Sequence, residues 1–101
     1  MPKHKYNAKR TMVDGLHFAS QREAKRYKEL KLLQLAGQIS ELKLQVRYKL
    51  VQTVTYVADF EYYDTKKKTR VTEDVKGMLT PLYKRKKKLM KEQHNIEILE
   101  S

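Results

Sequence analysis

The chain has 101 residues, a net charge of +11 from 23 Lys+Arg against 12 Asp+Glu, 40% hydrophobic residues and no cysteine. That length allows one domain with a modest core, that apolar content argues against disorder, and the missing cysteines exclude disulfides and thiolate metal sites. The charge suits a polyanion, either nucleic acid or an acidic membrane surface. No apolar run is long enough to span a bilayer and no signal peptide is visible, which points to a cytoplasmic protein. His4, His17 and His94 are scattered and lack zinc spacing.

Residues 1–10 are basic and without period, with Lys3, Lys5, Lys9 and Arg10 around Tyr6. They read either as a phosphate-contacting arm or as a solvated terminus. Asp14-Gly15 between Thr11-Met12-Val13 and Leu16-His17-Phe18 predicts a tight hairpin. The arm and hairpin, 1–19, precede a single domain over 20–101.

Ser20-x-x-Glu23 is a capping box that opens a helix, and Gly37 stops it. Ala24, Tyr27, Leu30, Leu33, Leu35 and Ala36 supply its apolar stripe, with Arg22, Lys25, Arg26 and Lys28 on the other side. Glu23 carries two readings: it completes the cap, or it lends a carboxylate to a metal.

From Glu41 to Val51 strict alternation predicts a half-buried strand, with Gln45 and Arg47 on its polar face. In the next strand Tyr56, Ala58, Phe60 and Tyr62 form an apolar face with Asp59 opposite. A Lys66-Lys67-Lys68 turn leads to a third strand, in which Asp74 and Lys76 share one face and Val71, Glu73 and Val75 the other. Two adjacent strands thus bring two carboxylates and an ammonium together. A hard cation takes oxygen ligands and can generate a nucleophilic water, and a nearby lysine can steady charge on a phosphate.

Thr80-Pro81 starts a second helix that runs to about Gln93. Leu82, Tyr83, Leu89 and Met90 mark its apolar face, Lys84, Arg85, Lys87 and Lys88 flank or oppose it, and Lys86 falls in its middle. With Leu and Met but neither Trp nor Phe, this helix is a poor membrane-surface element. Ile96–Leu99 predicts a last short strand. The fold expected is α/β, in the order αβββαβ, a mixed sheet flanked by helices.

Ala58-Asp59 followed by Asp74-Val75-Lys76 resembles the PD-(D/E)XK nuclease superfamily, with Ala58 where that pattern has proline. The order of elements is that of a minimal restriction-endonuclease-like core. The chain also resembles a small phage and prophage family known as a domain of unknown function. That likeness runs through Lys5–Lys9, Asp14-Gly15, Phe18–Ala24, Leu44–Val46, Tyr56–Phe60 and Glu73–Gly77. Its core is similar to phage endonuclease I-type junction-resolving enzymes. The resemblance implies a Mg²⁺- or Mn²⁺-dependent endonuclease acting on branched DNA, four-way junctions above all, or a nicking or general structure-selective enzyme. It implies catalytic roles for Glu23, Asp59, Asp74 and Lys76, and metal ligation by Glu23, Asp59, Asp74 and the Val75 carbonyl. Lys3, Lys5, Lys9, Arg10, Arg22, Lys84, Lys86 and Lys87 would grip DNA. Paired cuts on two strands call for a homodimer. The competing expectation is a nucleic-acid-binding protein without catalysis.

Overall fold

A computed structural model describes residues 10–51, 53–75 and 79–101. The chain runs β1 (Thr11–Val13), β2 (Leu16–Phe18), α1 (Gln21–Leu35), β3 (Ile39–Lys49), β4 (Thr55–Asp64), β5 (Thr69–Asp74), α2 (Pro81–His94) and β6 (Ile98–Glu100). It is an α/β protein with a mixed four-stranded sheet, ordered β3-β4-β5-β6, and a separate β1–β2 hairpin. The first three strands of the sheet are antiparallel, and β6 joins β5 in parallel after the α2 crossover.

Local chemistry accounts for the boundaries. Asp14 and Gly15 both take positive φ, 54° and 76°, as a two-residue turn with right-handed strand twist requires. Ser20 Oγ accepts from the Glu23 amide at 3.1 Å, and Thr80 Oγ1 accepts from the Tyr83 amide at 3.1 Å, capping α1 and α2. Asp64 Oδ1 accepts from the Lys66 and Lys67 amides, fixing the β4–β5 turn. At the end of α2, Asn95 adopts the left-handed conformation, so β6 begins at Ile98, two residues later than the expected Ile96.

The helices cover opposite faces of the sheet. Phe60, Tyr62 and Val71 pack with Ala24, Tyr27 and Leu30 of α1, together with Phe18 of the hairpin. Ile98 packs with Met90 of α2. Register partners share a face, so Ile98 lies on the side of Thr72, opposite Val71 and Glu73.

Strict alternation fails in the middle of β3 and β4. Tyr56 and Ala58 belong to the α2 cluster, whereas Phe60 and Tyr62 belong to the α1 cluster. On β3, Leu44 likewise goes to the α1 cluster and Tyr48 to the α2 cluster. The expected single apolar face Tyr56–Tyr62 is therefore divided: β4 changes face between Ala58 and Phe60, at Asp59. The cause lies in the neighbouring strand, where Gln45 takes a left-handed φ of 53° between the Leu44–Phe60 and Val46–Ala58 pairs. A bulge at Glu41, φ 56°, adds a second irregularity to β3.

Two further expectations change. The α1 stripe ends at Leu30, since Leu33 is 37% and Leu35 83% exposed. Leu82 of α2 is 58% exposed, leaving Met90 as the buried residue of that helix.

Candidate active site

The β4–β5 ladder ends at the Phe60–Glu73 pair. Just beyond it, Asp59 and Asp74 lie close enough for their carboxyl groups to hydrogen-bond. Two carboxyl groups can do so only if one carries a proton. Burial, first, and then the bond to Asp74 and the charges of Asp74 and Glu23 push the Asp59 carboxyl up to about 8. The Val75 amide donates to Asp59 Oδ2 at 2.9 Å and partly opposes that rise. Asp74 is buried.

Glu23 comes from the first turn of α1 and is 7% exposed. Its amide engages Ser20, and its carboxylate Oε2 accepts from Gln45 Nε2 at 3.3 Å. The side chain is thus turned toward the sheet at the residue whose backbone bends β3. Gln45 was legible only as a polar residue at a possible site border. Its left-handed backbone has no signature in an otherwise alternating strand.

Among the described residues, no three His, Cys, Asp or Glu side chains converge as a finished metal cage. The donor chemistry nevertheless fits a hard cation: two aspartates close enough to share a proton can share a divalent ion in its place. Glu23 is near enough for its charge to act on Asp59. Lys76 lies outside the described residues, as do Lys3, Lys5 and Lys9.

Glu73, next to Asp74 in sequence, faces the other way. It is fully buried and accepts from Arg26 at 2.6 and 3.1 Å and from the Tyr62 hydroxyl at 2.6 Å. Burial alone would raise its carboxyl, but the hydrogen bonds from Arg26 and Tyr62 outweigh it and hold the group low. Arg26, expected on the solvated side of α1, is instead drawn in by this carboxylate.

On the α2 side, a cleft of about 310 Å³ opens beside the aspartates, lined by Tyr56, Asp74, Thr80, Leu82, Tyr83 and Lys86. Lys86 is half-buried there, while Lys84, Arg85, Lys87 and Lys88 are exposed. Tyr83 donates to Glu100 Oε2 at 2.7 Å. Burial and Glu100, then Asp74 and Asp59, raise the Tyr83 phenol above its ordinary range. Neither tyrosine stood out in the sequence, where both read as core.

The remaining basic residues fall into separate regions. Arg22, exposed in the first turn of α1, lines a recess of about 220 Å³ with Lys25, Arg26, Glu29, Val75 and Ser101. Lys84 and Lys87 border a groove of about 490 Å³ with Lys88, Lys91, Ile96 and Ile98. Arg10 is exposed before β1. No helix among the described residues is long and apolar enough to cross a membrane.

Residues 3–99 match the model of a family described as a protein of unknown function, DUF1064, and the chain belongs to that family. No curated protein and no solved structure matches it.

Proposed function

We propose that this chain is a metal-dependent endonuclease that hydrolyses phosphodiesters in branched DNA, four-way junctions being the favoured substrate. The observation that carries the reading is the close pair of half-buried Asp59 and buried Asp74, whose mutual influence with burial raises the Asp59 carboxyl, in a chain of net charge +11. Acids gathered within a basic footprint repel phosphate unless a cation bridges them. The likeness of Asp59, Asp74-Val75-Lys76 and Glu23 to the PD-(D/E)XK pattern supports the same reading.

Asp59 and Asp74 would hold Mg²⁺ or Mn²⁺ with the Val75 carbonyl, and Glu23 would contribute directly or through water. When bound, such an ion supplies an activated water and stabilises charge on the phosphate. Gln45 keeps the Glu23 carboxylate turned toward the sheet. The Val75 amide fixes one Asp59 oxygen. Lys76 would orient the attacking water and offset charge on the phosphorane-like transition state. Arg22, Lys84, Lys86 and Lys87, with Arg10 and the preceding lysines, would hold the DNA backbone. Two cuts at a junction require two sites, hence a two-fold homodimer acting in the cytoplasm. Exposed Met12 and Leu16 on the hairpin offer apolar surface for it.

The test is incubation with four-way junction, nicked, linear and single-stranded DNA, in Mg²⁺ or in EDTA. Cleavage of the junction in Mg²⁺ alone is expected. Binding of every form without cleavage would favour a non-catalytic nucleic-acid-binding protein, and nicks confined to one strand would favour a nicking enzyme.

A further inference from the structure

The groove between α2 and the start of β6 combines a row of cations with an apolar floor. It encloses about 490 Å³, with Lys84, Lys87, Lys88 and Lys91 on one side and Ile96 and Ile98 on the other. The four lysines recur at i, i+3, i+4 and i+7, which places them on one face of the helix. At about 100° per residue Lys86, which lines the cleft beside Asp74, falls nearly opposite Lys88. The row therefore points away from the side of α2 that adjoins the aspartates.

Like charges four residues apart on a helix repel one another, and the row holds two such pairs. Lys87 and Lys91 are answered from within the chain: Lys87 Nζ meets Glu100 Oε2 at 3.1 Å, and Lys91 Nζ meets Glu97 Oε1 at 3.5 Å. Lys84 and Lys88 have no acidic partner among the described residues. α2 buries Met90 alone, a slender anchor for a 14-residue helix, because helices in proteins draw most of their stability from packing. Beside the row, β6 is the last strand of the sheet and pairs with β5 on one side, so its other edge is open.

Carboxylates suit this row, as Glu97 and Glu100 already do. Phosphates would answer the charge but gain nothing from the isoleucines, and Ile96 stands half-buried beside the lysines. Charge, floor and open edge together fit an extended segment in which acids alternate with apolar side chains. We propose that this groove is a docking site for an acidic, apolar-bearing peptide segment of a protein partner, lying along β6 with its carboxylates on Lys84 and Lys88 and an apolar side chain over Ile96. The site does not depend on the endonuclease reading. Lys84 and Lys87 also lie on the proposed DNA path, so peptide and DNA would compete for them.

The probe is a short synthetic peptide alternating Glu with Val, titrated into the full chain at low salt and followed by amide resonances. Saturable shifts at Lys84, Lys88, Ile96 and Ile98 are expected. A Glu–Ser peptide of the same length and charge should bind at least about tenfold more weakly, the scale of burying one aliphatic side chain. Lys84→Glu with Lys88→Glu, two exposed positions where substitution leaves the fold intact, should weaken the Glu–Val peptide by about tenfold or more. Equal affinity for the two peptides, affinity unchanged in the variant, or shifts confined to other surfaces would overturn the docking site. A short DNA duplex is the other arm: groove shifts with the duplex and none with the Glu–Val peptide would make the row a phosphate path and overturn the proposal as well.

Discussion

Arg26 and Glu73 form a two-pronged ion pair, Nε to Oε2 at 2.6 Å and Nη2 to Oε1 at 3.1 Å, between the middle of α1 and the floor of the sheet. Glu73 is the immediate neighbour of Asp74, so the pair ties the helix that carries Glu23 to the strand that carries Asp74. Removing one partner leaves a buried charge uncompensated, which costs about 3–5 kcal/mol. Arg26→Met should destabilise the protein on that scale in urea unfolding. Arg26→Met with Glu73→Gln should recover part of the loss, because the stranded charge is gone. A loss below about 1 kcal/mol, as for exposed pairs, would show that the pair is merely superficial.

Asp59→Asn and Asp74→Asn should each lower junction cleavage by roughly a hundredfold or more, since even the partners of metal ligands commonly matter by 10–100-fold. Binding in the absence of metal should persist, because neither change adds negative charge to the phosphate path. Full cleavage by either purified variant would remove the reaction from this site.

The raised Asp59 carboxyl makes stability depend on pH when no metal is present. The folded-state Asp59 carboxyl is pushed up to about 8 from an ordinary value of 3.8. A raised acid binds its proton more tightly in the folded state. Its contribution is therefore complete below the unfolded value and is lost as pH rises through the folded one. Melting temperature in EDTA should fall between about pH 4 and pH 8, and Asp59→Asn should flatten that part of the profile. Mg²⁺ at pH 8 should restore the lost stability, as any ligand that binds only the folded state does. A flat wild-type profile in EDTA would mean that the two aspartates do not share a proton.

Much of this architecture was legible in the residues. Both helix starts follow from side chains that cap, Ser20 and Thr80, and the hairpin from Asp14-Gly15. The division of β5 into a Val71–Glu73–Val75 side and a Thr72–Asp74 side follows from a period of two. What alternation could not show is the change of face at Asp59, because its cause is a left-handed Gln45 on another strand. Long-range pairing was equally hidden: Arg26 looks solvated on a helical wheel until Glu73, 47 residues away, is brought beneath it. Tyr56 and Tyr83 read as core because a hydrophobic pattern records burial and says nothing of where the hydroxyl ends.

At Glu23 a helix cap and the proposed metal site would draw on one residue, through different atoms. The cap uses the Glu23 amide, which donates to Ser20 Oγ at 3.1 Å. The carboxylate is occupied elsewhere, accepting from Gln45 Nε2 at 3.3 Å and adding its charge to the field at Asp59. Glu23→Gln keeps the amide and removes only the charge, so it should fold almost normally. Ser20→Ala does the reverse: it should cost about 1 kcal/mol of stability and leave the carboxylate in place. If Glu23 serves the metal, Glu23→Gln should lose most cleavage and need more Mg²⁺, while Ser20→Ala stays active at temperatures where it is folded. Gln45→Ala is the intermediate case. It frees the Glu23 carboxylate without removing it, and should lower cleavage by roughly 10–100-fold, the scale for a residue that orients a metal ligand. Equal and mild effects of all three substitutions on cleavage would reduce Glu23 to the first turn of a helix.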